Sequence, residues 1–216
     1  RFITDAGHEI KTPLTIIQAN ADILEMEFGE NESLQDIRQQ TRRLSELTND
    51  LTLLSRMEES ENALPLIEFP VSEVISDAAA PFQALARQQG KRFICSIQPM
   101  LTLRGNDKAI QRLVLLLLDN ALKYTPGDGT IALRFAAQSR TLCLSVSNPT
   151  GTEITPAELE RVFDRFYRTD PSRSSATGGY GIGLSVAKAI VTAHGGKIQA
   201  DTQTGHDFRI TASFPA

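Results

Sequence analysis

Three common chemistries find no material in this chain. Its longest apolar run, Leu113 to Leu118, is six residues, against about 20 for a helix that crosses a bilayer, so no segment reads as a membrane span. Its 22 Lys and Arg are outnumbered by 26 Asp and Glu, a net charge of −4, which argues against nucleic acid as a partner. It has only two cysteines, Cys95 and Cys143, 48 positions apart. That spacing builds neither a metal site nor a disulfide framework. Each lies in an apolar stretch, so both are expected to be buried, reduced thiols in a reducing, cytoplasmic compartment. No signal segment is visible, and the first residue is Arg1 rather than Met. The chain therefore reads as a piece of something longer, joined to a membrane only through segments upstream.

What remains is an ordinary folded composition, 41% hydrophobic and 22% charged over 216 residues, enough for one large or two small domains. The first 58 residues lack strand alternation and read as two amphipathic helices, separated at Phe28-Gly29-Glu30-Asn31. Ile3, Ile10, Ile17 and Leu24 recur every seven, beside a second row of Leu14, Ala21 and Phe28. On the second helix Leu34, Ile37, Thr41, Leu44, Leu47, Leu51 and Leu54 keep steps of three and four. Stripes this wide cannot be buried within one hairpin, so a homodimer forming a four-helix bundle is expected.

Residues 59–65 turn polar and proline-terminated, as a linker does. From residue 66 to 216 strand and helix signals alternate. Strands are expected at 66–69, 92–97, 101–104, 131–136 and 142–146, with two more around Thr204-Gly205-His206. Helices are expected at 72–89, from an Asn106 or Asp107 cap to Tyr124, at 157–167 and at 183–193. The fold class is α+β: a helical hairpin followed by an α/β sandwich with helices on one face.

Three constellations carry chemistry. In His8-Glu9-Ile10-Lys11-Thr12-Pro13, His8 falls on the side opposite Ile3 and Ile10 and hence toward solvent, with Thr12 one turn on along the same face. Pro13 removes the hydrogen bond to the Glu9 carbonyl. An imidazole beside a carboxylate can act as a nucleophile, although an ordinary exposed histidine satisfies the same residues. A zinc-protease reading fails, because Thr12 stands where the second metal-binding histidine is needed. In Asp119-Asn120-Ala121-Leu122-Lys123-Tyr124, Asn120 and Lys123 share a helix face. They offer an amide oxygen suited to Mg²⁺ and an ammonium suited to phosphate, or simply a polar helix end. In Gly178-Gly179-Tyr180-Gly181-Ile182-Gly183-Leu184, glycines precede a helix, where free N–H groups attract anions. No Lys-Ser/Thr pair follows them and no strand comes before, which excludes a Walker A loop and a dinucleotide fingerprint. His194 reads as a helix-end cap and His206 as a hairpin-loop residue, neither with a further role.

Together and in this order, these segments resemble the transmitter region of bacterial two-component sensor histidine kinases. Residues 2–14 are similar to the family's H box and Asp119 to Pro126 to its N box. Val162-Phe163-Asp164-Arg165-Phe166-Tyr167-Arg168 is similar to its F box, and Gly178 to Leu184 to its second glycine box. The resemblance implies a dimerisation and phosphotransfer domain over 1–58 and a Bergerat-type ATP-binding domain over 66–216. By that resemblance ATP-dependent autophosphorylation falls on His8, Glu9 orients or deprotonates the imidazole, and Thr12 positions water for dephosphorylation of the partner. Asn120 matches the Mg²⁺ ligand, Lys123 a phosphate contact, Tyr124 an aromatic near the adenine, and Arg168 a stabiliser of γ-phosphate charge. Asn148, Gly151, Gly179, Gly181, Gly183 and Leu184 complete the implied ATP site, with residues 169–177 as its lid. The implied partner is a response regulator receiver domain, phosphorylated on an Asp, and the implied parent protein is anchored in the bacterial inner membrane.

Two departures stand out. The first glycine box, usually an Asp followed by two glycines, is here Ser147-Asn148-Pro149-Thr150-Gly151-Thr152-Glu153, which keeps one glycine and has an uncharged amide. The asparagine usual one turn before Asn120 is Leu116. Both weaken the expected nucleotide contacts, which leaves an alternative: a dimeric scaffold or response-regulator phosphatase with weak nucleotide binding and little kinase activity.

Overall fold

The computed structural model describes residues 2–29, 31–58, 66–168 and 180–215, with the side chains of residues 2–6, 8 and 58 outside the description. The chain divides into two compact units, Arg1–Ala63 and Leu64–Ala216.

The first unit is a hairpin of α1 (Phe2–Phe28) and α2 (Glu32–Glu58). Gly29, at φ +79°, makes the reversal, a backbone conformation that glycine adopts without a Cβ penalty. Arg38 of α2 fastens the helices near this turn, bridging Asp22 at 3.1 Å and also Glu25 of α1. The seam between the helices is small and partly polar: Leu14 and Ala21 of α1 are buried, as are Thr41, Thr48, Leu54 and Ser55 of α2. The threonines solve their own desolvation, since Thr41 and Thr48 donate to the carbonyls of Ile37 and Leu44 at 2.7 and 2.8 Å. The two heptad rows of α1 thus part company. Leu14 and Ala21 face α2, while Ile10, Ile17 and Leu24 stay 47%, 44% and 41% exposed.

The second unit opens with β1 (Ile67–Phe69), which pairs antiparallel with β3 (Leu103–Gly105). Its main sheet has the order β2-β4-β5-β7-β6. It is built from β2 (Arg92–Ile97), β4 (Thr130–Gln138), β5 (Thr141–Pro149), β6 (Lys197–Asp201) and β7 (Asp207–Pro215). β2 and β4 are parallel and the other neighbours antiparallel. Helices α3 (Val71–Gln88), α4 (Asp107–Tyr124) and α6 (Gly183–Ala193) pack on one another and on the sheet. Strict alternation on β5 and β7 follows: Leu142, Leu144 and Val146, and Phe208, Ile210, Ala212 and Phe214, are buried between half-exposed neighbours. α4 is the central helix, with Ile110, Leu113, Val114 and Leu118 fully buried. Asn106 caps it by accepting the Ala109 N–H at 2.9 Å.

Two expectations are corrected here. The helix expected over 157–167 is only α5 (Pro156–Arg161), started by a capping box between Thr155 and Glu158. Residues beyond it turn, and Phe166 adopts φ +62° while its N–H donates to the Gly181 carbonyl at 2.9 Å. A long-range pairing therefore overrides the helical pattern. The cysteines are free but not buried: Cys95 is exposed on edge strand β2, and Cys143 is half-buried on the face of β5 turned away from the helices. No helix among the described residues is long and apolar enough to cross a membrane.

Candidate functional site

In the first unit the sequence places His8 on α1, but its side chain, and the solvent exposure expected of it, lie outside the described residues. Its neighbours Glu9 and Thr12 are exposed, and α1 continues through Pro13. Gly7, directly before the histidine, is buried, and a Cβ there would run into the Thr52 hydroxyl of α2. Glycine thus lets the two helices close on each other at this level.

In the second unit the chain gathers a cavity of about 230 Å³ from five places. The end of α4 supplies Asn120, Lys123 and Tyr124, and the β5–α5 connection supplies Thr150 to Ile154. Tyr167 and Arg168 come from the turn after α5, Leu184 from the start of α6, and Phe208 from β7. The apolar Ile154, Val162, Leu184 and Phe208 share this wall with an ammonium, a guanidinium and an amide. A flat apolar ring carrying an anionic tail matches such a lining.

The end of α4 is tightly finished, which fixes the side chains it carries. Thr125 uses both its N–H and its hydroxyl on the Ala121 carbonyl, at 3.0 and 2.5 Å. Lys91 donates to the Leu122 carbonyl at 2.5 Å, and partial burial pulls its pKa down. Carbonyls that a helix end leaves open are satisfied in this way. The Lys123 ammonium lies 5.4 Å from the centre of the Tyr124 ring. Arg161 stacks on the Tyr167 ring at 4.4 Å and pairs with Asp164 at 3.6 Å, and Arg168, at the end of the F-box segment, lines the cavity.

The glycine segment before α6 is held from the α5 side. Gly181 has φ +71°, and a Cβ on it would come within 2.7 Å of the Tyr167 carbonyl, so both its torsion and its surroundings demand glycine.

Comparison with known proteins decides what this arrangement belongs to. Residues 105–216 match the histidine kinase-, DNA gyrase B-, and HSP90-like ATPase family, and residues 1–60 match the His Kinase A phospho-acceptor domain. The chain belongs to the sensor histidine kinases. It is 31% identical over 219 residues to the phosphate regulon sensor protein PhoR of Pseudomonas aeruginosa, covering 99% of this chain and 49% of that one. It is equally 31% identical over 224 residues to the sensor histidine kinase CusS of Escherichia coli, covering 100% of this chain and 45% of that one. The chain thus spans about half the length of these relatives. Among solved structures, full-length ShkA in complex with AMPPNP superposes with a TM-score of 0.81 at 21% identity, covering 99% of this chain and 45% of that one. The Acinetobacter baumannii histidine kinase AdeS gives 0.70 at 22% identity, covering 96% and 97%.

In this histidine kinase the two departures have structural consequences. Leu116 is buried, and its Cδ2 lies 3.4 Å from where a Cβ on Gly183 would stand. The residue in the asparagine's place therefore packs under the second glycine box. Asn148 is buried on β5 opposite Phe208 and is not part of the cavity wall. Its Nδ2 donates to the Pro149 carbonyl at 2.8 Å. Gly151 lines the cavity, and a Cβ there would meet nothing within 4 Å. Gly179 and residues 169–177 lie outside the described residues. Phe208 and Thr150 to Ile154 beyond Gly151 were not foreseen as wall residues, since nothing in their spacing distinguishes them from ordinary strand and loop positions.

Proposed function

We propose that this transmitter region uses ATP to phosphorylate His8 and passes the phosphoryl group to an Asp of a response regulator. The observation that carries the reading is the cavity, in which Asn120, Lys123 and Arg168 stand in one wall with Tyr124, Leu184 and Phe208. The apolar surfaces suit the adenine and the cations suit the phosphates, in keeping with phosphoryl transfer as a matter of positioning and charge stabilisation.

His8 attacks the γ-phosphorus in line, the bond to the β-phosphate oxygen breaks, and ADP leaves. Glu9, its neighbour on α1, orients the imidazole or takes up its proton. Lys123 and Arg168 hold the phosphate charge. In the reverse sense, Thr12 positions water for hydrolysis of the regulator's acyl phosphate. Among the described residues no cluster of His, Cys, Asp and Glu is preformed for a metal, so a Mg²⁺ is expected to arrive with the nucleotide. The Asn120 amide oxygen fits it as a hard ligand, and the ion when bound would neutralise phosphate charge.

The division of labour follows the sequence: dimerisation and phosphotransfer in 1–58, a linker at 59–65, nucleotide binding in 66–216. The half-exposed row Ile10, Ile17 and Leu24 on α1, with Ile37 and Leu44 at 45% and 43% exposure on α2, supports a homodimeric four-helix bundle. Ile16 and Ile23, 56% and 51% exposed, lie on another side of α1 and offer a surface for the receiver domain.

Labelled ATP with Mg²⁺ tests the proposal. Acid-labile, base-stable label is expected on the wild-type chain and not on His8→Gln. Label that survives this substitution, or its absence from the wild type, overturns it. The phosphatase-only alternative is not favoured, because the cavity and its cations are retained despite the altered first glycine box.

A further inference from the structure

The wall of the cavity between β5 and α5 has little support of its own. Thr150 to Ile154 contains one glycine, and its internal bond is local, from the Thr150 hydroxyl to the Thr152 carbonyl at 2.8 Å. Its two ends are held from outside, by the loop between β6 and β7. The Thr150 N–H donates to the His206 carbonyl and the Ile154 N–H to the Gly205 carbonyl, each at 2.8 Å. Gly205 sits at φ +78°, and a Cβ on it would come within 3.3 Å of the Glu153 side chain. Gly205 and His206 of the loop thus meet Thr150, Glu153 and Ile154 of the wall.

A single carboxylate shapes that loop. Asp207 accepts from the backbone N–H of Gln203 at 3.1 Å and of Thr204 at 2.7 Å. It also accepts from the hydroxyls of Thr204 at 2.5 Å and Thr202 at 3.3 Å. The two hydroxyls pass the constraint on, since Thr202 Oγ1 accepts the Gly205 N–H at 2.9 Å and Thr204 Oγ1 the His206 N–H at 3.3 Å. The residues whose carbonyls hold the wall are thus fixed through the threonines that Asp207 fixes. Such convergent donors favour the ionised carboxyl, and the hydroxyl of Thr204 first, with the loop N–H groups, draws its pKa down to about 2.

We infer that Asp207, which is not among the residues lining the cavity, is a positioning residue for nucleotide binding, holding the Thr150–Ile154 wall in place through the 202–206 loop. The inference rests on the reading of the cavity as a nucleotide site.

The test compares wild type, Asp207→Ala and Asp207→Asn in the whole chain, by titration with ADP and Mg²⁺, thermal unfolding and amide hydrogen exchange. Asp207→Ala is expected to bind ADP about tenfold more weakly, with a thermal midpoint within about 3 °C of wild type and faster exchange confined to residues 203–206, Thr150 and Ile154. Asp207→Asn, which keeps one acceptor oxygen, is expected to fall between, and it carries the comparison should Asp207→Ala fail to fold. Equal ADP affinity in wild type and both variants overturns the inference while leaving the nucleotide site standing. Unchanged exchange at Thr150 and Ile154, or an affinity loss that merely follows global unfolding, also overturns it. A wild-type chain that binds no ADP removes the nucleotide reading itself.

Discussion

The Nε2 atom of His194 accepts the backbone N–H of Asn106 at 3.0 Å. Its other nitrogen lies 2.7 Å from the Ile190 carbonyl, so the ring is neutral with its proton on Nδ1. One buried imidazole, 6% exposed, thereby ties the end of α6 to the cap of α4. These are the two helices that contribute Leu184 and Asn120 to the cavity. Gly105 makes room for it, since a Cβ there would approach His194 Cδ2 to 2.6 Å.

This tie predicts acid sensitivity. Burial lowers the His194 pKa below its usual 6.5, against a smaller opposing effect of the Ile190 carbonyl. The unfolded chain therefore binds the proton more tightly. The stabilisation is complete above about pH 6.5 and is lost as pH falls through the lower folded value, at up to about 1.4 kcal/mol per pH unit between the two. Urea unfolding at pH 7.5 and 5.5 should show this fall in the wild type and a smaller one in His194→Phe.

The two glycine boxes should respond differently to alanine. Gly181→Ala must place a Cβ at positive φ against the Tyr167 carbonyl, a torsional cost of about 1–2 kcal/mol before the clash is counted. Thermal unfolding and ADP titration should both show a loss. Gly151→Ala, with nothing within 4 Å of the new methyl, should leave the thermal midpoint almost unchanged.

Asn120→Ala should uncouple nucleotide from metal. Wild type is expected to bind ADP more tightly with Mg²⁺ than with a chelator, and the variant equally in both, because the amide oxygen is the hard ligand that the wall offers. Calorimetric titration in the two buffers reads the difference.

Ile17→Glu should dissociate the dimer. Ile17 is 44% exposed in the single hairpin, and a carboxylate buried at a bundle seam is costly without a partner. Sedimentation at micromolar concentration is expected to give a dimer for wild type and a monomer for the variant.

Much of this was legible along the chain. The heptad rows of α1, the Gly29 reversal, the Asn106 cap and the strand alternation are local patterns, set by side-chain period and by the few residues that stop a helix. The site was legible in part, because Asn120, Lys123, Tyr124, Gly151, Arg168 and Leu184 sit in recognisable segments. Asn148 was expected in the wall and lies beside it, since its register with Phe208 puts it in the sheet's buried row. The cysteines were misplaced because an apolar neighbourhood in sequence does not reveal a sheet's edge or which of its faces is covered.

The sequence by itself determined the elements and most of the chemistry they bring: a helical hairpin with His8 on it, and a helix ending in Asn120 and Lys123. Only the tertiary structure decided that α5 stops at Arg161, that Gly181 receives the turn at Phe166, and that a loop near residue 205 supports a wall near residue 152. Those outcomes rest on hydrogen bonds between segments far apart in the chain. Such pairings depend on which strands become neighbours, and no local period encodes that.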